Sequence, residues 1–169
     1  MKKLVILTII TISLSTVVKA QKFGETRFSL GPEIGAATGT FGNVAGLGLG
    51  ATVQAEHFYQ ENVSGTILLG FVDYFGSSYN NNLKYKSTLI IPLRVGGRYY
   101  IGDGFHLGAQ IGVGFISGLY STTAFAYSPQ IGYNFKTNKG RAIDATFKYD
   151  GYASSGSLSA VGIRVAYIF

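Results

Sequence analysis

From the mid-twenties onward, apolar and polar residues alternate with a period of two between turn signals, and no segment keeps a helical period. The last nine residues do this without a break. Val161, Ile163, Val165, Tyr167 and Phe169 fall on one face, and Gly162, Arg164, Ala166 and Ile168 on the other. The alternation predicts eight strands, over residues 27–37, 44–59, 63–75, 84–101, 107–115, 125–135, 143–150 and 161–169. The third strand is the least regular. Ile67, Leu69 and Phe71 mark one face while Leu68 and Val72 mark the other, and a bulge near Gly70 would account for that. Three tight turns are expected at Gln60-Glu61-Asn62, Gly102-Asp103-Gly104 and Asn138-Lys139-Gly140. Loops are expected around Thr40, Asn80, Ser121 and Ser155, the last covering residues 152–157.

An even number of antiparallel strands of about ten residues or more is what a closed membrane-spanning barrel requires. Closure matters because an open sheet edge in hydrocarbon leaves backbone groups unpaired. Alternation alone does not say which face is outside. Size does. Eight strands enclose a space just wide enough for side chains to fill, and one face here holds nearly all the Leu, Ile, Val, Phe and Tyr. The other face holds Gly, Ala, Ser, Thr, Gln and nearly all the in-strand charges. That many rings would crowd the interior, so the apolar face belongs in lipid. The expected fold is all-β, an eight-stranded antiparallel up-and-down transmembrane β-barrel.

Composition adds a compartment. Residues 1–20 read as a signal peptide, with Lys2 and Lys3 before an apolar run and Val18-Lys19-Ala20 as a small-residue site cleaved after Ala20. The barrel domain then covers residues 21–169, and the expected location is the outer membrane. Cleavage removes three of the fourteen basic residues, leaving eleven against eight acidic ones, a net charge of +3. Such a small excess gives no support for nucleic-acid binding. The chain has no cysteine, which excludes disulfides, thiolate metal sites and a lipid anchor on sulfur. With the N-terminus in the periplasm, the three tight turns lie on that side and the four loops outside.

The interior charges are the candidates for function: Glu33, Glu56, Arg94, Arg98, Asp144, Lys148 and Arg164. Unpaired charges in a narrow, low-dielectric lumen are costly. Both signs are present, which predicts a paired network that plugs the barrel. A narrow charge-lined channel for small solutes is the alternative, and a lipid-A-modifying enzyme a third reading. That enzyme would want a histidine, a serine and an acid near the outer leaflet. His57 and His106 instead fall near the periplasmic rim, where solvated side chains are expected. Gly46, Gly48 and Gly50, like Gly112 and Gly114, lack the Lys-Ser/Thr closure of a phosphate loop. Alternate glycines leave lumen space for long Arg and Glu side chains. No metal-ligand cluster and no cofactor motif is visible. Tyr85, Tyr99, Tyr100, Phe125, Phe135, Tyr149 and Phe169 cluster toward strand ends, as an interfacial aromatic girdle would.

Taken together, the chain resembles the small outer-membrane β-barrel domain family, the porin-like, OmpA/OmpX-type barrels. The likeness rests on the signal peptide, on the run from Ile91 to Gly102 (IPLRVGGRYYIG), on Leu107 to Gly114 (LGAQIGVG), and on the final strand. The resemblance implies a monomer in outer-membrane lipid, inserted by the barrel assembly machinery. It implies that Val161, Ile163, Val165, Tyr167 and Phe169 form the signal which that machinery reads. It also implies a structural, adhesive or small-solute role. Long outer loops and a peptidoglycan-binding domain, found in some members, are not seen here.

Overall fold

The computed structural model describes residues 24–80, 83–102, 104–118, 121–137 and 141–169. The proposed signal peptide, Asp103 and the Asn138-Lys139-Gly140 turn lie outside them. Eight strands form one closed barrel: β1 Thr26–Thr38, β2 Ala45–Gln60, β3 Val63–Gly76, β4 Thr88–Ile101, β5 Phe105–Ser117, β6 Thr122–Lys136, β7 Ala142–Ala153 and β8 Ser157–Ile168. Each strand pairs antiparallel with its neighbours in sequence, and β1 closes on β8 with Glu33 opposite Arg164 and Ile34 opposite Ile163. Two short strands, Ser78–Asn80 and Leu83–Lys84, pair with each other between β3 and β4.

Side-chain parity follows the alternation read from the sequence. Leu49 and Ile111 are 50% and 54% exposed on the outer wall, as are Phe28, Leu93, Phe125 and Val165. Exposed apolar side chains around a whole wall suit hydrocarbon, not water. The strands are 12 to 16 residues long, enough to cross a bilayer when tilted, since about 9–11 residues suffice.

Three expectations fail on local detail. No bulge occurs at Gly70: the β2–β3 register runs unbroken from Gly48 opposite Tyr74 to Phe58 opposite Ser64. The irregular pattern in β3 arises because Leu68 and Val72 are apolar residues on the inner face. The proposed loop at 152–157 begins later, because β7 extends to Ala153 and buries Tyr152. Tyr100, assigned to the aromatic girdle, points inward instead, with its partner Tyr99 outside. The loop around Thr40 forms a single helical turn, Gly39–Gly42, which buries Phe41. Thr40 Oγ1 donates to the Ser157 carbonyl, and Thr38 Oγ1 to Ser159 Oγ, so this turn is held against the start of β8.

Candidate functional site

Inside the barrel the side chains lie in layers along the axis. Nearest the end that carries the start of β1 and the finish of β8 is an ionic cluster around Arg98. Its Nη1 donates to Asp144 Oδ2 at 2.5 Å and lies 3.6 Å from Glu56 Oε2. Glu56 Oε1 also accepts from Ser64 Oγ at 2.5 Å and from the Tyr100 hydroxyl at 2.7 Å. Asn134 Nδ2 donates to the Tyr100 hydroxyl at 3.2 Å, and Thr146 Oγ1 donates to Asp144. A carboxylate that accepts several such bonds is held in place as well as neutralised.

His106 belongs to this cluster and corrects the expectation of a solvated rim histidine. It is fully buried, with Nε2 3.7 Å from Asp144 Oδ1 and its ring 5.4 Å from that of Tyr100. Its position follows from parity, since it shares a face with Gly108 and Gln110. A Cβ at Gly132 would lie 2.5 Å from its Cε1, so the absence of one there makes room for the ring. His57, by contrast, is half-buried on the outer wall, where Nδ1 lies 2.8 Å from Thr26 Oγ1 and the ring meets Tyr59.

The middle layer is neutral except for one cation. Gln110 Nε2 donates to Gln54 Oε1 at 3.1 Å and to Thr66 Oγ1 at 3.0 Å. Arg164 Nε donates to Thr52 Oγ1 at 2.7 Å, and Nη2 to Ser29 Oγ at 3.0 Å. Above this layer lies the second ionic cluster. Lys148 Nζ sits 2.5 Å from Glu33 Oε1 and 2.9 Å from Asp150 Oδ2, and Asp150 also pairs with Arg94. All seven charges singled out from the sequence are buried inside the barrel. Six of them contact an oppositely charged group, and Arg164 contacts hydroxyls instead. Asp150 joins two of the cations and was not singled out, although its alternation with Lys148 places it on the same face.

At the far end the interior turns apolar. Val72, Tyr74, Ile90, Ile116, Ala126 and Tyr152 pack together, and Phe41 from the helical turn closes over Tyr74 with ring centroids 5.2 Å apart. Here the glycines serve rings more than charges. A Cβ at Gly48 would lie 2.6 Å from Tyr74 Cδ1, and one at Gly114 would lie 2.6 Å from Tyr152 Cδ1. At Gly108 a Cβ would come 2.9 Å from the Gly97 carbonyl oxygen and 3.0 Å from Arg98 Cγ. Among the described residues there is no group of three or more His, Asp or Glu arranged to hold a metal ion.

No protein-family model matches the chain, and no curated protein matches it in sequence. Solved structures do match in shape. Neisserial surface protein A aligns with a TM-score of 0.66 at 10% identity, covering 85% of this chain and 95% of its own. Ail, the attachment invasion locus protein of Yersinia pestis, solved with the heparin analogue sucrose octasulfate, aligns with a TM-score of 0.58 at 14% identity. That match covers 88% of this chain and all of Ail. The outer membrane protein AlkL, solved in lipid bilayers, aligns at 0.52 with 10% identity, covering 92% of this chain and 95% of AlkL. Closed eight-strand topology, an apolar outer wall and these three likenesses agree: the chain has the fold of the small eight-stranded outer-membrane β-barrels.

Proposed function

We infer that this protein is a non-enzymatic integral outer-membrane β-barrel with a plugged lumen, serving envelope structure or surface interaction. In this reading the signal peptide is cleaved after Ala20, and the assembly machinery reads Val161, Ile163, Val165, Tyr167 and Phe169. The barrel sits as a monomer in outer-membrane lipid, with the Arg98 cluster toward the periplasm and the Phe41 lid outside. The observation that carries the reading is the stacking of an apolar layer on two paired ionic clusters. A permeating ion would have to break charge pairs and then cross an apolar layer, and each step is costly in a narrow lumen. Planar-bilayer recording of the refolded protein tests this. The expected result is no reproducible discrete conductance.

The narrow-channel reading keeps one observation in its favour. Several interior polar atoms, among them Arg94 Nη2 and Glu33 Oε2, have no hydrogen-bond partner among protein groups, and such atoms are ordinarily satisfied by water. Discrete single-channel steps would select that reading. For lipid-A modification, His57 and His106 lie at the end assigned to the periplasm, away from the outer leaflet. Mass spectrometry of lipid A from cells with and without the protein is expected to show no difference.

A further inference from the structure

Arg164 differs from the other buried cations. Arg94, Arg98 and Lys148 each contact a carboxylate. No carboxylate of the described residues forms an ion pair with Arg164, although it is only 1% exposed. Glu33 stands directly opposite it in the β1–β8 register, yet reaches away to Lys148. Within hydrogen-bond distance the guanidinium therefore meets only neutral groups. Nε and Nη2 donate to the Thr52 and Ser29 hydroxyls, Nη2 also reaches the Ser29 carbonyl at 3.5 Å, and Nη1 has no partner among protein groups.

A second unpartnered donor stands on β2, next to the residues that Arg164 contacts. The β1–β2 register places Gln54 opposite Ser29, two residues from Thr52. Its Oε1 is taken by Gln110, while its buried Nε2 has no partner. Ser29 and Thr52 already accept from Arg164, so their own hydroxyl hydrogens remain available to donate. The free groups at this corner are thus N–H and O–H donors around one cation. A group that only accepts, and carries negative charge, complements them. Nearby charge limits how much it carries. In the adjacent layer the carboxylates of Glu56 and Asp144 both face the single guanidinium of Arg98, and two carboxylates so near disfavour a divalent anion.

We propose that the corner formed by Arg164, Gln54, Ser29 and Thr52 binds one small monovalent inorganic anion of the chloride class. The anion accepts from Arg164 Nη1 and the Gln54 amide and is capped by the two hydroxyls. It pairs with the one buried guanidinium that has no carboxylate within ion-pair distance, and so helps hold β8 to β1 and β2.

The test uses the mature chain refolded into detergent and crystallised with bromide as the only halide. Anomalous diffraction at the bromine edge is expected to show a peak within hydrogen-bond distance of Arg164 Nη1 and Gln54 Nε2, lost in Arg164→Met. In parallel, thermal unfolding is compared in chloride and in gluconate at equal ionic strength. At tenfold excess over its dissociation constant, chloride should raise the parent's midpoint by roughly 3–6 °C and leave that of Arg164→Met unchanged. Gln54→Leu, which keeps every charge, should show a smaller rise, and it carries both measurements if Arg164→Met does not fold. No anomalous peak at this corner in the parent, or an equal chloride response in parent and variants, overturns the proposal.

Discussion

At the scale of single residues, the interior is organised by which charge serves more than one partner. Asp150 joins Arg94 to Lys148, and Lys148 joins Asp150 to Glu33. Removing Lys148 strands Glu33, which has no other ionic partner, and leaves Asp150 with Arg94 alone, whereas removing the terminal Glu33 leaves its partner Lys148 another carboxylate. Lys148→Met should therefore destabilise the barrel by about 3–5 kcal/mol, the usual range for breaking a buried pair. Glu33→Ala should cost less, because Lys148 retains Asp150. The double variant Glu33→Leu with Lys148→Met should cost less than the sum of the two single changes, since the stranded Glu33 carboxylate is gone. Urea-unfolding midpoints in detergent measure all three, and equal stability of the three variants and the parent would contradict a network. Glu33, Lys148 and Arg98 were legible as interior groups because strict alternation assigns a face to every strand residue. Their partners were not, because a long side chain reaches across the lumen to whichever opposite charge its rotamer meets. Glu33 pairs with Lys148 and not with its register neighbour Arg164 for that reason.

Among elements, the lesson is that glycine spacing records the sizes of rings as well as of charges. Tyr74 on β3 lies across Gly48 on β2 and Gly35 on β1, with its hydroxyl 2.6 Å from the place of a Cβ at residue 35. Gly48→Val should displace that ring and loosen the contact with Phe41. A loss of about 1–3 kcal/mol is expected, the range for forcing extra volume into a packed interior, again read from the unfolding midpoint. The strands themselves were well signalled, but their ends were not. Tyr152 looked like loop because glycines and serines surround it, yet its burial against Gly114 keeps β7 regular for several more residues. The Gly39–Gly42 turn left no periodic trace at all. Four residues are too few to show a helical period, and only the packing of Phe41 reveals what it does.

For the molecule as a whole, everything rests on which wall faces lipid. The chain has no tryptophan, so Leu49→Trp and Ile111→Trp each provide a single reporter on the exposed wall, and Val72→Trp one inside. In bilayers of brominated lipid the first two should lose most of their fluorescence and the third little. Strong quenching of the interior reporter alone would reverse the assignment. This large-scale property was the most legible one in the sequence. It depends on the sum of some hundred alternating positions, which no local irregularity can invert.

The seam between β1 and β8 has a consequence for how the protein comes to exist. Ser29 and Arg164, in contact there, are separated by 135 residues, so the ring is shut by the pairing most distant along the chain. Contacts of that reach form late and slowly. Until they do, two strand edges offer unpaired amides and carbonyls to the acyl chains, an arrangement hydrocarbon does not tolerate. A polypeptide cut before β8 would therefore gain almost nothing from the seven strands it already owns, and insertion should proceed as a single cooperative event.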